Sequence, residues 1–296
     1  MGQSGLDDDK AEALSIAFEG LMRYRRTILD RTVTPSLGPD EAVARFRKPL
    51  ADTGIAAQQT IRQLIQDADD GLRQMASPNF FGFVLGGSHP VGVAADLLVS
   101  AWGQNAALAT VAPGTGGIER TVCDWVIDML GLPPESGAGI VTGGSVANMV
   151  GIMAARNALL AREGWDVEEK GLYGAPEISV LIGDAAHSAP FAALRYAGLG
   201  AGRAIRVAVD SEGRILPDAF RTAIEKRNGP ILAILQAGQI NTGAFDPFAE
   251  LIPMVHEKGG WVHVDGAFGL WLAAVPELAH GLAGVAEADS WVVDLH

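Results

Sequence analysis

The feature that most constrains this chain is a change of period near residue 138. Beyond it, short apolar runs with β-branched residues alternate with longer stretches whose apolar residues recur at helical spacing. The candidate strands are 139–142 (GIVT), 178–182 (ISVLI), 204–209 (AIRVAV), 231–235 (ILAIL), 261–264 (WVHV) and 291–294 (WVVD). The candidate helices between them are 145–162, 187–197, 217–227 and 247–258. This alternation predicts an α/β body with a mostly parallel sheet covered on both faces. Pro217 suits a first helical turn, and Asp218 behind it suits the positive end of the dipole.

Ahead of the body the pattern is helical. Leu14, Phe18, Leu21, Met22, Ile28 and Leu29 recur near a 3.6 period over 11–31, as do Ile61, Leu64, Ile65 and Leu72 over 55–73. Two apolar helices before any strand predict an arm that packs on the body or on a partner subunit. Residues 76–90 (ASPNFFGFVLGGSHP) are aromatic, glycine-rich and uncharged, so they read as a loop, either a buried connector or an exposed aromatic segment. Further helices are predicted at 91–108 and 118–130. The division expected is 1–110 as helical arm and loop, and 111–296 as the α/β body.

Composition narrows the function classes. The 296 residues are 48% hydrophobic and 19% charged, which favours a large core and argues against disorder. The net charge is −13, and no Lys/Arg run exceeds two residues, as at Arg25-Arg26, so nucleic acid is not an expected partner. The single Cys123 has no intrachain disulfide partner and cannot build a cysteine zinc site; its apolar helical setting predicts a buried thiol. The N-terminus MGQSGLDDDK has no apolar core, and Gly2 is followed by Leu6 where acylation wants Ser or Thr. Two uncharged stretches of 22 residues, 74–95 and 97–118, are interrupted by Gly, Pro, Asn, Gln and Ser, so neither reads as a membrane span. A cytoplasmic protein without membrane partner is the expectation.

Three segments carry the chemistry. Thr142-Gly143-Gly144-Ser145 follows a candidate strand and opens a helix. Free N–H groups there suit a phosphate, two glycines allow close approach, and Ser145 can add a hydroxyl or cap the helix. The same four residues read equally well as a plain strand-to-helix turn, and they match neither G-x-x-x-x-G-K-[ST] nor G-x-G-x-x-G. Asp265 ends a strand in WVHVDGAFG, where a ligand crevice of an open α/β sheet lies, or else serves as a turn acid. His263 shares its face, but no third ligand completes a metal site. His187, just past the strand at 178–182, is either a structural histidine or one that lies on an aromatic cofactor or moves a proton. His296 also follows a strand, and a nucleophile elbow is missing because Ser145 is preceded by Gly-Gly.

Taken together, these motifs resemble the pyridoxal-phosphate-dependent decarboxylases of the aromatic amino acid and glutamate decarboxylase group, in the aspartate-aminotransferase-like superfamily (fold type I). TGGSVAN (142–148) resembles the family's phosphate segment, AAHSAP (185–190) the segment of its ring-stacking histidine, and HVDGAFG (263–269) its H-V-D-A-A segment. WVVDLH (291–296) resembles the approach to its His-Lys pair, so that the anchoring lysine is expected to follow His296. The resemblance implies pyridoxal 5'-phosphate bound by Thr142, Gly143, Gly144, Ser145, His187, Thr242, Asp265, Ala267 and His296. In it His187 stacks on the ring, Asp265 pairs with the pyridine nitrogen and Ala267 packs on the opposite ring face, while His187, Asp265 and His296 are the catalytic set. SPNFFGFVLGGSHP (77–90) resembles the substrate-side region, which assigns Phe80, Phe81, Phe83 and His89 to the substrate. GQINTGAFDP (238–247) departs from the family's G-T-T-x-x-G-A-x-D-P, with Gln239 and Ile240 at the threonine positions and Asn241-Thr242 as nearby polar groups. Gly266 stands where the family often has Ala.

The reaction implied is loss of CO2 from an L-amino acid and protonation at Cα to give an amine. An aromatic or other neutral substrate is expected, because Phe80, Phe81 and Phe83 cluster and no Arg or Lys lies between 74 and 118 to meet a second carboxylate. The alternatives are a glutamate or aspartate decarboxylase, an aldehyde synthase, a carbon–carbon lyase, an aminotransferase, and a noncatalytic homologue. A homodimer with the site at the interface is implied as well. The strand at 291–294, with no loop after it, reads either as a short terminal strand or as the end of a fragment without its C-terminal small domain.

Overall fold

The computed structural model describes residues 8–50, 52–83 and 85–295. These form two compact units that meet in sequence at Trp102 and Gly103. The first unit contains α1 (Asp8–Thr27), α2 (Pro39–Phe46), α3 (Ala57–Ala68) and α4 (Pro90–Trp102). α1 and α3 pack on each other, burying Ala13 and Ile16 and leaving Leu14, Phe18 and Leu64 exposed. Gly20 permits this closeness, since a Cβ there would lie 2.7 Å from Cδ1 of Ile65. Arg31 bonds Asp69 at 2.7 Å and ties the end of the α1 segment to the end of α3. α4 ends at Trp102 rather than at 108, because Gly103 takes a positive φ of 55° and stops the helix as a left-handed cap. No helix among the described residues is long and apolar enough to cross a membrane.

The second unit is the α/β body. It opens with α5 (Pro113–Met129), which buries Cys123 and Ile127, and α6 (Gly144–Arg162). A short α7 (Val167–Lys170) precedes β1 (Ser179–Gly183), α8 (Ser188–Tyr196) and β2 (Ile205–Val207). Then follow α9 (Pro217–Glu225), β3 (Ile231–Gln236), α10 (Phe248–His256), β4 (Trp261–Asp265) and β5 (Ser290–Val292). Pro217 occupies the first turn of α9 with Asp218 beside it, as the dipole argument requires.

All five strands are parallel, in the order β2-β1-β3-β4-β5. The segment 139–142 is the exception to the strand pattern. It is extended in composition but pairs with no strand among the described residues, and Ile140 and Val141 stay exposed. A β-branched run becomes a strand only where a ladder partner takes up its backbone groups.

Alternation along the strands sends side chains to two cores. Val180, Ile182, Leu232 and Ile234 pack against Ile152, Ala155 and Leu159 of α6 and Leu194 of α8. Leu181, Ala233, Leu235, Val262 and Val264 pack against Phe220 of α9 and Leu251 and Val255 of α10. Both faces are covered, which is why the strands read as continuous apolar runs.

The strand order fixes where a ligand can sit. The chain leaves β1 for β2 on one side, then returns past β1 to β3 on the other. Loops at the carboxyl ends of β1 and β3 therefore diverge and open a crevice at this switch point. Asp246 holds the crevice's supporting loop. Its buried carboxylate accepts the N–H of Ile215 at 2.8 Å and that of Gln236, the last residue of β3, at 2.7 Å. Asp246→Ala would strand the buried Ile215 N–H and the half-buried Gln236 N–H and is expected to cost about 2–4 kcal/mol in urea unfolding. A loss below about 1 kcal/mol would show that water replaces the carboxylate without penalty.

Candidate active site

His187 caps α8 from the carboxyl end of β1. Its Nδ1 accepts the N–H of Ala189 at 3.2 Å, so the ring proton resides on Nε2. Its own N–H donates to Oε1 of Gln236 at 3.2 Å, which joins the two loops across the switch point. The ring itself is exposed. Gln236 lies in register with Asp265 on the neighbouring strand β4. Gly183, Ala186, Pro190, Gln236 and Asp265 line a small crevice at these strand ends.

Asp265 is the buried acid of this crevice. Burial pushes its pKa up; the Ala267 N–H at 3.4 Å, the Asn148 amide and His187 pull it back, and Asp294 adds to the rise. The ends of β4 and β5 are joined beside it, as Asp294 N–H donates to the Ala267 carbonyl at 2.6 Å and Gly266 N–H to that of Val292 at 2.9 Å. Gly266 is required here, because a Cβ would meet the Val292 carbonyl oxygen at 2.9 Å and Leu270 Cβ at 2.7 Å.

α6 begins on the same side of the sheet. Gly143 and Gly144 have open space where side chains would be, and no side chain caps the helix. Val146 and Ala147 both donate to the Gly143 carbonyl, while Thr142 and Ser145 are exposed at the turn. The first N–H groups of a 19-residue helix thus face open space, as an anion site requires.

Four positions beyond Gly144, Asn148 is buried and joins this turn to His263 of β4. Its Nδ2 donates to the Gly144 carbonyl at 3.0 Å. Its Oδ1 lies 3.1 Å from Nε2 of His263, whose Nδ1 lies 2.9 Å from the Ser290 hydroxyl. Both ring nitrogens of His263 are therefore engaged.

Gln239, at a position where the resembled family carries threonine, is buried. Its Oε1 accepts from the N–H of Asn241 at 2.6 Å and of Thr242 at 3.0 Å, and its Nε2 donates to the Ala185 carbonyl at 3.4 Å. It fastens the 239–244 loop to the segment leading to His187. The Thr242 hydroxyl donates to the Glu212 carbonyl at 2.6 Å, within the same loop cluster.

The aromatic loop belongs to the first unit. Phe81 and Phe83 are 92% and 81% exposed, so an exposed aromatic segment, not a buried connector, is what forms. Phe80 and Phe83 approach with ring centroids 6.4 Å apart, and Phe83 takes a left-handed φ of 63°. His89 Nδ1 accepts the Val91 N–H at 3.3 Å at the start of α4. His296 lies outside the described residues.

Sequence reasoning singled out His187 and Asp265 but passed over Asn148, Gln236 and Asp246. Asn148 carried a signal, as the last residue of the TGGSVAN segment and an amide four positions after Gly144 on one helix face. Asp246 carried one too, as the acid before Pro247 in GQINTGAFDP, whereas Gln236 carried none that spacing alone could reveal.

The pyridoxal-dependent decarboxylase conserved domain matches residues 46–296, and the chain belongs to this family. Among curated relatives, the aromatic-L-amino-acid decarboxylase of Bacillus atrophaeus is 26% identical over 284 residues, covering 95% of this chain and 57% of that protein. A glutamate decarboxylase-like protein of Gibberella zeae is 29% identical over 226 residues, covering 75% of this chain and 42% of its own length. The chain spans about half the length of the curated relatives it matches. Among solved structures, Oryza sativa TDC with PLP and tryptamine superposes with a TM-score of 0.86 at 25% identity, over 99% of this chain and 64% of that one. The α/β fold with its parallel sheet and preceding helices is that of the fold type I decarboxylases.

Burial holds His263 neutral, its pKa lowered to about 4 from an ordinary 6.5. Between these values the unfolded chain takes up a proton that the folded chain refuses. Stability from this group is full above about 6.5 and is lost as pH falls toward about 4. Asp246 acts oppositely: burial raises its pKa to about 6, so its cost to folding grows as pH rises from 3.8 to about 6. Thermal unfolding of His263→Gln is expected to lose less stability than wild type between pH 6.5 and 4. Parallel pH profiles for the two proteins would mean that His263 takes up protons equally in both states.

Proposed function

We propose that this chain is the cofactor-binding part of a pyridoxal-phosphate-dependent amino acid decarboxylase acting on an aromatic or other neutral L-amino acid. The observation that carries the reading is Asp265, a buried acid at the carboxyl end of β4 beside the switch point. Among the described residues it accepts the N–H of Ala267 and forms no ion pair, so a cationic N–H entering the crevice would complete its charge balance. A protonated pyridine nitrogen is such a group. The open turn at Thr142, Gly143, Gly144 and Ser145 suits its phosphate, His187 and Ala267 suit the two ring faces, and Thr242 and His296 are assigned to the same site by resemblance. These residues fit the cofactor.

Pyridoxal phosphate, when bound, supplies an electron sink for the pair released from the Cα–carboxylate bond. The chain's own part is to position and to move protons. Asp265 would keep a proton on the ring nitrogen by charge pairing. The N–H groups at the start of α6 would hold the phosphate. His187 has its Nδ1 fixed as a helix cap, which sets the ring's tilt and leaves the Nε2 proton facing outward. His296 completes the proposed catalytic set.

Phe80, Phe81, Phe83 and His89 are assigned to the substrate side, with residues 1–110 as the arm that carries them and 111–296 as the cofactor body. The aromatic loop and the lack of Arg or Lys between 74 and 118 support a neutral substrate. The exposed Leu14 and Phe18 of α1 support a homodimer, to be checked by sedimentation. A cytoplasmic site of action belongs to the same reading.

A panel of L-amino acids given to the full-length protein tests the proposal. Amine and CO2 from aromatic substrates is the expected result. Strong preference for glutamate would overturn the substrate class, and aldehyde with ammonia would move the reaction to an oxidative branch. Asp265→Asn is expected to lower kcat at least about a hundredfold while cofactor still binds. Full activity in that variant would remove Asp265 from its role.

A further inference from the structure

We propose that Gln236 is a positioning residue for His187, holding the imidazole in place against the strand ends that carry Asp265. The inference rests on the cofactor reading above and extends it to a side chain that acts through His187.

The main-chain N–H of His187 can only donate, so the atom of the Gln236 amide that meets it at 3.2 Å is the oxygen. The ring of His187 is fixed separately, since its Nδ1 accepts the main-chain N–H of Ala189 at 3.2 Å. That second bond fixes the imidazole relative to α8 alone. The bond from Gln236 refers it to the sheet, because Gln236 ends β3 and lies in register with Asp265 on β4. Gln236 is itself held by Asp246, whose carboxylate accepts its N–H at 2.7 Å and whose own N–H donates to its carbonyl at 3.1 Å.

Folding does not require this bond. His187 is exposed, and an exposed N–H is served by water at little net cost. The turn before it is already closed, with Ala186 N–H donating to the Gly183 carbonyl at 3.1 Å and Asp184 N–H to that of Val207 at 2.9 Å. The bond also orders a glutamine side chain, so its effect is placement more than stability. A second glutamine grips the same segment two residues earlier. Gln239 uses its oxygen for the N–H groups of Asn241 and Thr242, which turns its Nε2 to the Ala185 carbonyl at 3.4 Å. Gly213 leaves room for that side chain, since a Cβ there would lie 2.9 Å from Gln239 Cγ. Two amides from the exit of β3 thus hold residues 185–187 at both ends, and the exposed ring they present is that of His187.

The test uses full-length protein titrated with pyridoxal phosphate and read by visible circular dichroism, which reports how the surroundings hold the bound ring. Gln236→Met keeps the length of the side chain without the acceptor, and Gln236→Asn keeps the acceptor but withdraws it by one methylene. Both are expected to weaken cofactor binding about three- to tenfold and to reduce the band per bound cofactor. Gln236→Asn decides alone if Gln236→Met does not fold. Arg206→Ala removes a guanidinium 4.0 Å from the centroid of the Phe191 ring and loosens α8 away from Gln236, so it should lower the melting temperature and leave the band unchanged. His187→Ala is expected to reduce the band, and adding Gln236→Met to it should change nothing further. An unchanged band in both Gln236 variants, whatever their melting temperatures, would overturn the proposal. So would an equal loss in Arg206→Ala, or a Gln236→Met effect that persists undiminished without the His187 imidazole. Wild-type protein that shows no visible band with pyridoxal phosphate overturns the cofactor reading and this inference together, and that result comes before any variant is made.

Discussion

The structure of the body depends on one electrostatic constraint, an acid kept out of water at the end of a parallel strand. Asp265 is buried with the Ala267 N–H as its hydrogen-bond donor, and burial alone would favour its neutral form. Everything near it answers that cost. The 2-1-3-4-5 order opens the crevice above β1 and β3 and sets β4 with its acid beside it. Gly266 lets β4 and β5 close against each other just past the acid. α6 supplies both an open N-terminal turn and the buried Asn148, which bonds His263 on β4, from one helix.

The loops around this point are joined by side chains rather than by further sheet. Gln236 bonds the backbone of His187, Asp246 bonds the backbone of Gln236, and Gln239 ties its own loop to Ala185. These contacts make the crevice a consequence of the fold. They also give the departure from the resembled G-T-T segment a physical account. Gln239 spans more than a threonine could, and it uses that length to satisfy two backbone N–H groups of its loop.

The fold was legible because its signal is periodic and local. Runs such as ISVLI and ILAIL lie buried on both faces, and burial on both faces is what makes them continuous in sequence. The segment 139–142 carried the same composition without a partner, and composition does not report pairing. At the site, His187 and Asp265 were visible as polar residues at strand ends. Asn148 bonds a histidine 115 positions away, and Asp246 bonds an N–H 31 positions away. Such partnerships exist only after the sheet has formed, so no local pattern announces them. Cys123 needed no such contact: an apolar helical setting sufficed, and the thiol is buried in α5.

The account's central claim is that the strand ends of this body enclose pyridoxal phosphate. Borohydride reduction of the full-length protein, followed by digestion and mass measurement of its peptides, tests it most directly. The predicted result is a lysine bearing a reduced pyridoxyl-phosphate group in the peptide that continues from Trp291–Asp294. An unmodified peptide from protein prepared with the cofactor present, or an adduct on a lysine elsewhere, would contradict the claim and leave the buried Asp265 in need of another cation.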